Sequence, residues 1–192
     1  MKKLSGGKIA LIAIGAVLLI LVLWVAGSYN GLVRSDETVN EKWANVESAY
    51  QRRADLIPNL VETVKRYAAH EEDIFIRVTE ARAAVMSARG PAELQSADNQ
   101  LSSTLKTLFA VAENYPNLKA NENFLSLQDE LAGTENRIKT ERDIYNGAVR
   151  DYNVKVRRFP TNAIAGIFGF EQREMFEAQE GTEEAVNVKE LF

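Results

Sequence analysis

Three charged residues stand where helices of this chain should carry apolar side chains, and they are its best candidates for chemistry. Alternating steps of three and four residues pick out Val39, Trp43, Val46, Tyr50, Arg53, Ile57, Leu60, Val64 and Tyr67. The same steps give Phe124, Leu127, Leu131, Glu135, Ile138, Arg142, Tyr145, Val149, Tyr152, Val156 and Phe159 further on. These are buried stripes of helices, so Arg53, Glu135 and Arg142 point to the core. A buried charge left unpaired is strongly unfavourable. One reading is a buried polar site, with which a hydrolase or a ligand-binding protein would work. The other is a salt-bridge and hydrogen-bond layer that sets helix register. The second is preferred, because isolated polar seam residues are best attested as specificity devices.

Little else in the sequence can do chemistry. His70 is the single histidine, lies in His-Glu-Glu-Asp, and lacks the second histidine of a zinc helix because position 74 is Ile. It reads as a solvated or locally bonded junction residue. There is no cysteine, which excludes disulfides, thiolate metal sites and a Cys nucleophile. Gly166 and Gly169 have no following Lys-Ser/Thr, and Ser102-Ser103-Thr104 has no base arranged with it. Glu71-Glu72-Asp73 and Glu183-Glu184 read as solvated or cap charges. No catalytic, cofactor-binding or metal residues are therefore assigned. Of 23 Lys+Arg, three (Lys2, Lys3 and Lys8) precede position 28, leaving 20 against 27 Asp+Glu from there on, a net of −7. So acidic a body excludes nucleic acid as a natural partner.

The elements that must position these residues begin with Ile9–Gly27, 19 residues without charge or proline. As a helix it reaches roughly 28 Å, close to a hydrocarbon core. It is longer than the ~7–15-residue core of a cleaved signal, so residues 9–28 are expected to be a lasting anchor. Lys2, Lys3 and Lys8 place 1–8 in the cytoplasm and the rest outside. A connector follows at 29–35, and Ser35 or Asp36 is expected to cap the next helix. Pro58 falls inside the periodic pattern and should kink it. Gly90-Pro91, Pro116-Asn117 and Pro160 interrupt the helical pattern, and no strand pattern occurs between 36 and 159. Narrow apolar stripes opposite charged faces must bury against one another, as in a bundle.

Five segments resemble the LemA family. They are Asn30-Gly31-Leu32-Val33; Gln51-Arg52-Arg53-Ala54-Asp55-Leu56-Ile57-Pro58-Asn59-Leu60-Val61; Tyr115-Pro116-Asn117-Leu118-Lys119-Ala120-Asn121; Gly133-Thr134-Glu135-Asn136-Arg137-Ile138; and Tyr145-Asn146 with Tyr152-Asn153. The resemblance implies a bacterial protein with an N-terminal anchor and an antiparallel helical bundle. It transfers no catalytic residue. It also implies a break near Ala68–Glu71, giving helices at about 36–69, 71–89, 91–115 and 121–159.

The expected fold is all-α: one transmembrane helix, then an antiparallel up-and-down four-helix bundle over 36–170, coiled-coil-like in its packing. In that order the first and last helices run antiparallel. Arg53 and Arg142 then lie at one level, roughly 26 Å from the membrane-proximal end, with Glu135 at roughly 36 Å. The expected network is Arg53, Glu135, Arg142 and Asn146, with Glu135 reaching Arg142, so that removing Glu135 costs about 3–5 kcal/mol. The apolar stretch 162–170 should be a short helix capping the bundle end; it lacks the Lys/Arg face of an interfacial helix. The tail, 171–192, is extended or disordered, with Val186, Val188, Leu191 and Phe192 the residues of a strand-addition peptide. The function these features suggest is a non-enzymatic, membrane-anchored scaffold of the bacterial inner membrane. Its bundle would be periplasmic and would bind protein partners and, weakly, itself.

Overall fold

The computed structural model describes residues 6–177. Its helices are α1 (Gly6–Lys65), α2 (Glu72–Ser87), α3 (Gly90–Ala112), α4 (Pro116–Lys119), α5 (Glu122–Arg157) and α6 (Thr161–Phe168), with no strand among the described residues. The fold is all-α. Residues 178–192 lie outside the described part, and with them Val186, Val188, Leu191 and Phe192.

The expected connector is not a break. Residues 29–35 are helical and α1 runs unbroken for 60 residues. A single Gly31 costs a helix only about 1 kcal/mol. The expected caps are also occupied otherwise: Lys155 donates to Ser35 Oγ, and Arg173 Nη2 reaches Asp36 Oδ1 at 2.9 Å. The helix instead ends at Lys65, with Tyr67 and Ala68 N–H groups bonded to Val64 O. The break near Ala68–Glu71 is present.

Pro58 sits inside α1. Having no N–H, it leaves the carbonyl of Ala54, four residues back, without its helical donor. Arg82 Nε of α2 donates to that oxygen at 2.7 Å. A proline gap in one helix is thus closed by the next helix, and Ala54 is fully buried. Arg82→Ala should therefore cost about 1–3 kcal/mol, the penalty of an unsatisfied buried carbonyl. Denaturant unfolding of the full chain in detergent measures it; a midpoint equal to the parent's contradicts the account.

Two glycines need positive φ. Gly90 (φ 78°) turns α2 into α3 and Gly169 (φ 75°) ends α6, conformations that cost other residues about 1–2 kcal/mol. Tyr115-Pro116-Asn117 opens the extra turn α4, and Asn121 Oδ1 accepts from Phe124 N at 3.1 Å to cap α5. Asn121 Nδ2 also donates to Tyr67 OH (3.1 Å), and Tyr115 OH donates to Glu71 (3.1 Å). These bonds tie the loop after α1 to the connection between α3 and α5.

The contacts fall into two units. One comprises the chain up to Lys42 with Gly147–Arg173, the other Trp43–Asn146 with the chain from Glu174. The first has its core in Leu32, Val39, Val149, Tyr152, Ile164 and Ala165, each at most 3% exposed. Asn153 accepts from Arg173 N through Oδ1 and donates to Arg173 O through Nδ2, both at 2.9 Å. Phe159 was expected on the α5 seam, but α5 ends at Arg157 and Phe159 is 81% exposed.

In the second unit the helix directions follow from paired contacts. On α1 and α2, Ala54 meets Arg82 and Lys65 meets the ring of Phe75. On α1 and α5, Trp43 meets Tyr145 and Arg53 meets Glu135. On α3 and α5, Gln95 meets Arg142 and Phe109 meets Phe124. In each pair of helices, numbers rise on one while they fall on the other. The four helices therefore run up, down, up, down. Val46, Ile57, Leu60, Val64, Val78, Ala81, Leu101, Leu105, Leu108, Leu131 and Ile138 form its interior.

Candidate functional site: a paired polar layer and an open groove

Arg53 is buried, as its seam position requires, but its main partner comes from α3. Its Nη1 donates to Asp98 Oδ1 at 2.8 Å and its Nη2 to Ser102 Oγ at 3.0 Å. Glu135 is only a distant third, at 3.9 Å, and its side chain is 65% exposed. Tyr50 OH donates to Asp98 Oδ2 at 3.4 Å. Arg53 Nε has no acceptor among the described residues. Burial pushes the Asp98 carboxyl above its ordinary value, outweighing the pull of Arg53 and, next, Arg142. Burial likewise pushes the Tyr50 phenol up, and the neighbouring Asp98 charge adds to it. The Asp98 carboxylate is the direct charged partner of Arg53, and Tyr50 is a hydrogen-bond donor to its other oxygen.

Arg142 does not pair with Glu135 as expected. Its Nη2 donates to Gln95 Oε1 at 2.9 Å, and its guanidinium lies 4.5 Å above the ring of Phe176. Asn146 does not bond the arginines either. It clamps the backbone of Phe176, donating to its carbonyl at 3.0 Å and accepting from its N–H at 2.9 Å. Phe176 is 4% exposed, with Trp43 and Tyr145 rings at 6.0 and 5.6 Å. So the tail is held as far as residue 177 by side chains of α1, α3 and α5: Glu177 N donates to Gln95 Oε1 at 3.2 Å. The four residues expected to form one network divide into Arg53 with Glu135 at its rim, and Arg142 with Asn146 under the tail. Asp98 is coupled to both arginines.

The groups missed by the pattern were within its reach. On α3 the strict alternation is Leu94, Asp98, Leu101, Leu105, Leu108, which puts Asp98 on the seam. On α5 the inward residue is Thr134, 6% exposed, rather than its neighbour Glu135. Thr134 stays satisfied by donating to Leu131 O at 2.7 Å.

The largest of three hollows described on this unit is a groove of about 1010 Å³ between α1 and α5. Its walls include Gln51, Arg52, Asp55 and Asn59 from α1, and Thr134, Arg137 and Glu141 from α5. The other two hollows, about 360 and 530 Å³, flank α2. None of the three is lined by Arg53, Glu135 or Arg142. His70 is exposed in the loop after α1. Among the described residues no group of three His, Asp or Glu is placed to hold a metal ion.

One helix, α1, is long and apolar enough to cross a membrane, and its large apolar side chains from Leu11 to Leu23 are 54–71% exposed. An exposed apolar span leading into an antiparallel bundle defines a membrane-associated helical protein. The chain belongs to the LemA family, whose sequence profile matches residues 42–189. Magnetosome protein MamQ 2 of Paramagnetospirillum magneticum is 28% identical, covering 85% of this chain and 70% of its own length. Magnetosome protein MamQ of Magnetospirillum gryphiswaldense is 26% identical over the same shares. Protein LemA of Metamycoplasma hominis is 24% identical, covering 86% of this chain and 76% of its own length.

Proposed function

We propose that this protein is a membrane-anchored scaffold that binds protein partners through its helical bundle and performs no chemistry of its own. The observation that carries the reading is the groove between α1 and α5. Two segments some 80 residues apart in sequence converge on it, and it is lined by charges of both signs: Arg52 and Asp55 on α1, and Glu130, Arg137 and Glu141 on α5. Such a surface suits another polar helix or an extended peptide better than a small apolar ligand. The buried layer behind it is paired within the bundle. The three N-terminal lysines support an orientation with the groove outside the cytoplasm, at the bacterial inner membrane. Confinement in the membrane plane favours weak self-association as well.

The test is cross-linking of intact spheroplasts with a membrane-impermeant reagent, followed by recovery of the tagged chain. Discrete protein adducts are expected, and Arg52→Glu with Arg137→Glu should remove them, since reversing two exposed charges leaves folding nearly unchanged. Adducts that form only after the membrane is opened contradict the orientation. Adducts indifferent to both reversals contradict the groove.

A further inference from the structure

The unit made by the start of α1 and the end of α5 exposes a second apolar surface besides the span. From Phe159 to Phe170 the chain carries twelve residues without a charge. Ile164 and Ala165 turn the inner face of α6 into the core, 3% and 1% exposed. One turn further on, Ile167 is left 77% exposed and Phe168 51% exposed, and Phe159, just before the helix, is 81% exposed. Single exposed apolar residues are ordinary, but three large ones within ten uncharged residues concentrate apolar surface at this end of the unit.

The position of the patch says what the partner is. Phe168 and Phe170 pack on Tyr29, with ring centroids at 4.9 and 5.7 Å. Tyr29 stands two residues past the end of the apolar stretch, about 3 Å along the axis, and Trp24 is 40% exposed just before it. Aromatic residues at the end of a span sit at headgroup level. The same unit therefore holds α6 at that level too. Arg157 and Arg158, both exposed, precede the patch directly. They supply the basic flank that α6 itself lacks and that anionic lipid attracts. Asp36, the nearest acid on α1 beyond Tyr29, is already taken by Arg173.

The geometry points to a second membrane contact: Phe159, Ile167 and Phe168 enter the headgroup layer of the bilayer that α1 spans, with Arg157 and Arg158 on its anionic phosphates. This rests on the reading of α1 as a span. The contact fixes the tilt of this unit on the membrane, because one helix alone is free to lean whereas a helix and a surface patch are not.

The chain contains no cysteine, so single-site labelling needs no background removal. Full-length Ile167→Cys and Phe159→Cys variants would carry a fluorescent label in vesicles of phosphatidylcholine with phosphatidylglycerol. Nitroxides placed just below the lipid headgroup, and a water-soluble quencher, then report the surroundings. Leu18→Cys marks the bilayer interior and Thr107→Cys the aqueous phase. Labels at 167 and 159 are expected to be quenched several-fold more by the lipid nitroxide than the label at 107, and less by the aqueous quencher. Quenching equal to that at 107 overturns the inference. Protection from the aqueous quencher without lipid quenching overturns it too, since a second copy of the chain then covers the patch. Failure of Leu18 to reside in the bilayer removes the span itself, whereas failure at 167 and 159 alone leaves the span intact.

Discussion

Replacing Asp98 with alanine is expected to destabilise the bundle by about 3–5 kcal/mol, the cost of stranding a buried charge. Arg53 is 4% exposed at its side chain and takes its shortest charged contact, 2.8 Å, from this carboxylate. Ser102 Oγ cannot neutralise a guanidinium, and Glu135 reaches only Nη2 at 3.9 Å from a largely solvated position. Glu135→Ala should therefore change stability by less than about 0.5 kcal/mol, as exposed ion pairs do. Denaturant unfolding of the full chain in detergent distinguishes the two. Equal losses at both positions would mean that Glu135 neutralises Arg53 as much as Asp98 does. Removing both buried charges with Arg53→Met and Asp98→Leu should recover most of the loss, because a packed apolar pair of similar volume is often no less stable.

Phe176→Ala is expected to cost about 3–5 kcal/mol, as for a fully packed aromatic. The ring fills the space between Trp43, Tyr145 and the guanidinium of Arg142. Its loss should act locally first. The segment 174–177 has no helix of its own, and its backbone bonds run to Tyr145, Asn146 and Gln95 side chains. Amide exchange at 174–177 should rise well before that of α3 in the variant. Unchanged protection there would mean that the Asn146 clamp alone holds the segment and the ring adds only area.

Much of this arrangement was legible because one period governs it. The α1 seam from Val39 to Val64 is buried at nearly every position read from spacing, Arg53 included. Where two adjacent residues both satisfied a step of three or four, the choice fell to hydrophobicity, and that rule misplaced the chemistry. On α3 the same rule passes over Asp98, the partner of Arg53. The reading of Glu135 as a seam residue failed for the complementary reason, since Thr134 fits the alternation equally well and can satisfy its hydroxyl within its own helix. The cap residues Ser35 and Asp36 suggested a boundary, yet a cap acts only where the helix has already stopped. The residues 171–177 have no period to read, and what fixes them is a set of side chains on α1, α3 and α5 that only the fold brings to them. Arg82 belongs to the same class, because only the fold brings it to the carbonyl freed by Pro58.

The central claim is that the groove binds a partner while the layer behind it only holds the bundle together. Spheroplast cross-linking of the tagged chain compares two double variants directly. Arg53→Met with Asp98→Leu should retain every adduct of the parent, and Arg52→Glu with Arg137→Glu should lose them. The reverse pattern, adducts kept by the groove variant and lost by a folded layer variant, would make the buried polar layer the functional site and contradict the account.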